Sequence, residues 1–182
     1  MAKHLSKCLW VLIFALTSCS TQLIDIEAIC ESVNDSCYII KWEVWPETPG
    51  YVQIYASTDP KHFDKSKNSR VARCKIADRI CDITLKKEPE TRYYFLLEFN
   101  KKSQCIVASR AANIENICNL RDLGGYENAQ KKAIKWGYLF RSGCLQNIDS
   151  TGLKKINGLG VGTLIDFSDQ SRFQAPEAGL KI

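Results

Sequence analysis

The chain has 182 residues, 45% of them hydrophobic and 25% charged. That length suits one ordinary domain or two small ones, and the balance excludes disordered, collagen-like and multi-span membrane proteins. The formal charge of +5 comes from 25 basic and 20 acidic side chains that are interspersed, so the basicity is no footprint for nucleic acid, and none is expected as a partner. Nine Cys against one Met point to an oxidising compartment, because that much cysteine is uncommon where thiols are kept reduced.

Residues 1–18 read as a signal peptide: Lys3, His4 and Lys7 precede a short apolar run from Cys8 to Leu16, too short to span a bilayer stably. The Leu16-Thr17-Ser18-Cys19 tetrapeptide resembles the bacterial lipobox, which implies cleavage before Cys19, a diacylglyceryl group on its thiol and acylation of the new amino terminus. At ~0.8 kcal/mol per buried CH2, several acyl chains hold a protein on a membrane essentially permanently. The expected location is therefore extracytoplasmic, lipid-anchored to a bacterial membrane, with residues 19–25 as the tether. Removal of residues 1–18 deletes two Lys and no acid, lowering the formal charge from +5 to +3. Seven cysteines remain beyond Cys19, and Cys30/Cys37 and Cys74/Cys81 share an offset that allows each pair to close a short loop, although spacing does not settle connectivity. With no C-x2-C pair and His62 as the sole His beyond the leader, no metal site and no cofactor are expected.

From about Ile26 to Ala112 the pattern has period two, broken by turn residues. Tyr38, Ile40, Trp42 and Val44 share one face of a strand whose other face carries Lys41 and Glu43, and Pro46, Pro49 and Gly50 end it. Tyr51 to Ser57 is the next strand, Lys61 to Arg70 a polar loop, and Val71 to Ile76 and Ile80 to Leu85 two further strands. Leu85, Pro89, Thr91, Tyr93, Phe95, Leu97 and Phe99 then occupy odd positions through a turn and a strand, and Gln104 to Ser109 closes the series. That line resembles the L-x-P-x-T-x-Y-x-F pattern of fibronectin type III domains, with a longer gap between Leu and Pro. The resemblance implies an all-β immunoglobulin-like sandwich over residues 26–112, in which Trp42 and Tyr93 pack the core rather than stack on carbohydrate.

After Asn113 the character changes. Ile117 to Tyr126 reads ICNLRDLGGY, Ala129 to Lys135 is a short basic segment, and Trp136 to Leu145 reads WGYLFRSGCL. A helix is expected over Ser150 to Asn157, a turn over Gly158 to Val161 and a strand over Thr163 to Phe167. Gly124-Gly125 permits positive φ or close backbone approach, Arg121 and Asp122 are placed for a short-range ion pair that fixes the turn, and Arg141-Ser142-Gly143 puts a guanidinium and a hydroxyl at a strand terminus. The linked motifs N-[FL]-R-D-L-G-G-Y and G-x-L-[FY]-R-S-G resemble the opening of the bacterial tyrosine-protein phosphatase family related to dual-specificity enzymes. The resemblance runs over residues 113–182 and implies the first part of an α/β phosphatase domain. The fold expected for the whole chain is thus α+β in two modules.

The family's reaction is phosphomonoester hydrolysis on phosphotyrosine proteins or other phosphomonoesters, through a phosphocysteine and without metal. It needs a C-x5-R loop in which the thiolate attacks phosphorus while backbone amides and Arg cradle the oxygens. None of the nine Cys has Arg six positions later; Cys74 with Arg79 and Cys105 with Arg110 are five apart and lack glycine between them. No catalytic residue is assigned, and the 182 residues are expected to be inactive, cut short before the loop. The resemblance places Asn119, Arg121, Asp122, Gly124, Gly125, Arg141, Ser142 and Asp166 beside the phosphate pocket, while the residues alone leave Arg121 and Arg141 open as structural ties to carboxylates such as Asp122 or Asp166. Where relatives tend to read D-F-R-S, this chain reads Asp166-Phe167-Ser168-Asp169, with Arg172 later, which changes the local charge. A membrane-tethered binding protein that uses the sandwich on glycan or protein is the alternative. A redox role ranks low without a C-x-x-C pair.

Overall fold

The computed structural model describes residues 23–86, 92–143, 145 and 148–167. The leader and Cys19, Pro89, Thr91, Cys144, Ser168, Asp169 and Arg172 lie outside these residues. Antiparallel β-structure dominates, with one α-helix among the described residues. Strands β1 (Asp25–Ser32), β2 (Cys37–Trp45) and β5 (Ile80–Thr84) form one sheet in the order β1-β2-β5. Strands β3 (Tyr51–Ser57), β4 (Arg70–Lys75), β6 (Tyr94–Glu98) and β7 (Gln104–Val107) form a second in the order β4-β3-β6-β7.

Period two decides which side chains lie between the sheets. On β2, Tyr38, Ile40 and Trp42 are buried while Lys41 and Glu43 are exposed, and the register sets Ile40 between Cys30 of β1 and Cys81 of β5. From the other sheet Val52, Ile54, Phe95 and Leu97 fill the same core. Tyr38 meets Phe95 edge-on at 5.0 Å and Trp42 meets Phe99 at 6.2 Å. The Trp42 indole donates to the Ile76 carbonyl at 2.9 Å, so its one polar atom is paired inside the core. Tyr93 is half-buried and edge-on to Tyr38 at 6.3 Å.

Three strand ends differ from the sequence-based expectation. Lys75 ends β4, because Ile76–Asp78 turns as a short 3-10 segment whose residue Ile76 drops into the core. β5 ends at Thr84, where Leu85 N–H turns to the Ser36 carbonyl, and β7 ends at Val107, after which Ser109 makes an isolated parallel bridge to Cys30. Cys74 and Cys81 form a disulfide across the β4–β5 connection, whereas Cys30 and Cys37 are free thiols. Cys30 points inward opposite Ile40, and Cys37, at odd register to Tyr38 and Ile40, points to the other face, so this pair cannot close.

β6 departs from half-burial: Tyr94, Phe95, Leu96 and Leu97 are all buried. Phe95 and Leu97 face the core between the sheets, while Tyr94 packs on the opposite face with Ala108 and Trp136. The chain after residue 120 therefore covers the outer side of this sheet. A third cluster, Ile114, Ile117, Leu120, Leu145 and Ile156, is closed by helix α1 (Ser150–Gly158). Asp149 caps the helix, its Oδ1 accepting from Gly152 N–H at 2.6 Å, and Gly160 with φ 72° follows its end. The strand expected over Thr163 to Phe167 is absent: Thr163 makes only a bridge, and with no neighbouring strand among the described residues Ile165 and Phe167 are exposed.

Candidate functional site

Strands β8 (Arg121–Asp122) and β9 (Phe140–Arg141) pair antiparallel, with Arg121 opposite Arg141 and Asp122 opposite Phe140. The segment before them joins on the other side, as Asp122 N–H donates to the Arg110 carbonyl at 2.9 Å and Ala112 N–H to the Leu120 carbonyl at 3.1 Å. Alternation sends Asp122 inward and Arg121 outward.

Asp122 is wholly buried. Its Oδ1 accepts from Gly124 N–H at 2.7 Å and its Oδ2 from Gly137 N–H at 2.8 Å and from Arg92 Nη2 at 3.1 Å. The expected ion pair with Arg121 is thus not formed: neighbours on a strand point to opposite faces, and the inward carboxylate meets Arg92, thirty residues away. Arg92 Nη2 also donates to the Ser109 carbonyl at 2.7 Å. Arg110 caps the same turn, its Nη1 donating to the Gly124 carbonyl at 2.7 Å while its guanidinium lies 3.9 Å from the Tyr126 ring centre. The two glycines have separate reasons. A Cβ on Gly124 would lie 2.5 Å from the Trp136 Cα, and Gly125 has φ 73°, where side chains are disfavoured. Trp136 locks on through its indole N–H, which donates to the Ile106 carbonyl of β7 at 2.8 Å.

On the outer face Arg121 and Arg141 stand as a cross-strand pair, both exposed. Neither has a carboxylate partner among the described residues, which removes the reading of them as ties to Asp122. Like charges opposite one another on a strand pair repel, at ~5 Å in water by about 0.8 kcal/mol, and an anion between them reverses that sign. Gly143 N–H donates to the Cys118 carbonyl at 2.7 Å, holding exposed Ser142 near the turn of Asn119, whose φ is 57°. Asp166 is exposed and outside any named element. The structure therefore sets Arg121 and Arg141 side by side on one exposed face, with Asp122, Gly124 and Gly125 forming the turn behind them. Ala129–Lys135 spans the tip of a hairpin, residues 128–132, and the start of its returning arm, which pairs through the bridge between Glu127 and Ala133.

Cys30, Cys74, Cys81 and Cys105 are not poised to attack. Burial pushes the Cys30 and Cys105 thiols up to about 12, and Cys74 and Cys81 are oxidised. Arg79 pairs with Glu47 at 2.9 Å and Arg110 is engaged with the Gly124 carbonyl, so neither five-residue Cys/Arg spacing is a phosphate cradle.

Residues 112–179 match the model of the tyrosine phosphatase family. The match covers less than half of the chain and coincides with the segment that carries the RDLGG turn and α1. No curated protein matches the chain. Among solved structures, two crystal structures of pectate lyase Pel3 from Pectobacterium carotovorum, one with one monomer and one with two in the asymmetric unit, align over 50% of this chain at 14% identity and a TM-score of 0.35. The alignment covers 28% and 29% of those chains, and a likeness this slight carries no argument about fold or chemistry.

Proposed function

We propose that this is an extracytoplasmic lipoprotein in which an immunoglobulin-like sandwich, residues 26–112, carries the opening part of a tyrosine-phosphatase domain, residues 113–182, on a tether from Cys19. The observation that carries the phosphatase part is the buried Asp122 turn within the family-matched segment, which presents Arg121 and Arg141 side by side on the surface. The strand orders β1-β2-β5 and β4-β3-β6-β7 support the sandwich, and the Cys74–Cys81 disulfide supports a place outside the cytoplasm. Cys19 anchors the protein to a bacterial membrane through lipid.

The reaction of the domain is phosphomonoester hydrolysis by a Cys nucleophile, and the 182 residues do not perform it. In this reading Arg121 and Arg141 hold phosphoryl charge without breaking the ester, since no thiolate stands in a C-x5-R frame. Purified residues 19–182 are expected to leave p-nitrophenyl phosphate unhydrolysed. Turnover that disappears on mutation of one cysteine to serine would overturn the proposal.

A second reading, a tethered binding protein, is favoured by one feature. A groove of about 1690 Å³ runs between the edge strands β1 and β7 and the hairpin over 125–138, and Trp45, Tyr126 and Tyr138 are exposed along it. Binding of a soluble glycan or protein that is lost in Trp45→Ala and untouched in Arg121→Gln/Arg141→Gln would favour this reading.

A further inference from the structure

On the outer face of β3 and β4, far along the chain from the family-matched segment, three cations line one recess of about 520 Å³: Lys67, Arg70 and Arg73, with Tyr51 and Gln53 completing its wall. The placement follows from register. Gln53 pairs with Arg73 and Tyr51 with Lys75, and because Val52 and Ile54 are buried, the odd residues of β3 face outward beside Arg73.

Both guanidiniums are held by neutral groups. Arg73 lies 3.6 Å from the Tyr51 ring centre, a stack that leaves its edge N–H donors free. Arg70 Nη1 donates to Gln53 Oε1 at 2.9 Å, and the Tyr55 hydroxyl donates to the same oxygen at 3.3 Å. With its acceptor oxygen occupied twice, the Gln53 amide has only N–H donors left to offer the recess. Among the described residues no carboxylate lines it. On the same face Glu98 is opposite Gln53 on β6 and is paired with Lys65 at 3.4 Å, and in the loop before Lys67 the Asp64 carboxylate accepts from Ser66 N–H at 2.8 Å and from Ser66 Oγ at 3.0 Å. Three like charges in one recess repel, and the ligand that relieves the repulsion is one that only accepts hydrogen bonds.

We infer that the recess of Tyr51, Gln53, Lys67, Arg70 and Arg73 is a binding site for an oxyanion of the phosphate or sulfate type, independent of Arg121 and Arg141. Arg70 and Arg73 take the anion's oxygens through their guanidinium edges, the Gln53 amide donates between them, and Lys67 supplies charge from the loop. The recess is large enough for a phosphorylated small molecule or a phospholipid headgroup.

The test is an NMR titration of the whole protein, labelled at arginine, with inorganic phosphate, following the side-chain Nε–Hε signals. Saturable shifts are expected at Arg70 and Arg73 with a Kd on the order of 1 mM. Gln53→Glu puts a carboxylate between the two guanidiniums and is expected to weaken binding by about tenfold or more while both signals remain visible. The exposed substitution Lys67→Gln, read at the same signals, is expected to weaken it several-fold and serves if Gln53→Glu fails to fold. Co-sedimentation with phosphatidylglycerol vesicles, against phosphatidylcholine vesicles, forms a second arm. Vesicle binding that Gln53→Glu abolishes assigns the same chemistry to a headgroup, and saturation by free phosphate assigns it to a soluble ligand. Shifts that fail to saturate, together with vesicle binding that is absent or unaffected by Gln53→Glu, overturn the inference. The Arg121 and Arg141 signals report separately in the same spectra, so failure there leaves this site standing and failure here leaves theirs.

Discussion

The carboxylate of Asp122 and the guanidinium of Arg92 meet at 3.1 Å, the former wholly buried and the latter 13% exposed. Arg92 lies two residues before the start of β6 and Asp122 belongs to β8, so this pair joins the outer side of the four-stranded sheet to the RDLGG turn. Two backbone N–H groups, from Gly124 and Gly137, complete the carboxylate's shell. Removing one member strands the other charge in a dry site, which costs about 3–5 kcal/mol. Asp122→Ala is therefore expected to lower the urea-derived unfolding free energy by that amount, and Arg92→Met by a similar amount, with a double variant much less than additive. Additive losses in the cycle would show that the two residues act separately.

Gly124 has no room for a methyl group. A Cβ there would lie 2.5 Å from the Trp136 Cα and 2.6 Å from its ring, and the first of these is backbone that cannot swing aside. Gly124→Ala is expected to cost about 3 kcal/mol, the upper end for overpacking, and to free the Trp136 indole from the Ile106 carbonyl. Fluorescence should then shift to the red in the variant, and Trp136→Phe in the same background should remove the shifted component. Gly125→Ala, which meets φ 73° as well as the indole, is expected to destabilise through backbone strain in addition to crowding.

Much of the sandwich was legible because its strands obey one period. Tyr51–Ser57 formed as expected, and Tyr38, Ile40 and Trp42 went inward as their alternation requires. Tyr94 and Leu96 broke the rule, because period two reports only the face that a strand buries within its own sandwich, and here Trp136 covers the other side of Tyr94 from a distant segment. The site was legible in its residue types and not in its partners. Arg121, Asp122 and Gly124-Gly125 stood out locally, yet the groups that hold Asp122 and the Gly124 carbonyl, Arg92 and Arg110, look like ordinary surface cations in a β-rich stretch. No spacing announces a contact across thirty residues. The Thr163–Phe167 strand failed for the complementary reason: an apolar run has strand character, but a strand needs a partner for its backbone.

The thiols of Cys30 and Cys105 make the fold sensitive to alkali. Both are raised from 9.0 to about 12 by burial, so in the folded state each keeps a proton that the unfolded chain has lost. Unfolding then releases protons above about pH 9, and stability falls as pH rises towards 12, by up to about 1.4 kcal/mol per pH unit for each thiol. Burial also raises Tyr38 and Tyr94, which add to the same slope. The Cys30→Ala/Cys105→Ala variant isolates the thiols: its urea-derived stability should decline less steeply above pH 9 than that of the unsubstituted protein. Equal slopes would mean that the two thiols titrate normally.

The Cys74–Cys81 bridge spans a separation of seven residues and links β4 of one sheet to β5 of the other through the Ile76–Asp78 turn. Closing a loop this short removes unfolded-state entropy worth on the order of 2–3 kcal/mol in the chain-entropy account. The turn has a second hold, because the Trp42 indole donates to the Ile76 carbonyl and Ile76 N–H to the Gly50 carbonyl. These two sources act on different states: the bridge on the unfolded chain, the hydrogen bonds on the folded one. Cys74→Ala/Cys81→Ala is therefore expected to lower stability by about 2 kcal/mol while leaving the near-ultraviolet dichroism of Trp42 unchanged, and Trp42→Phe to weaken that signal with the disulfide intact. Loss of the Trp42 signal on removal of the bridge would show that the disulfide, rather than the core around Ile76, sets the geometry where the two sheets meet.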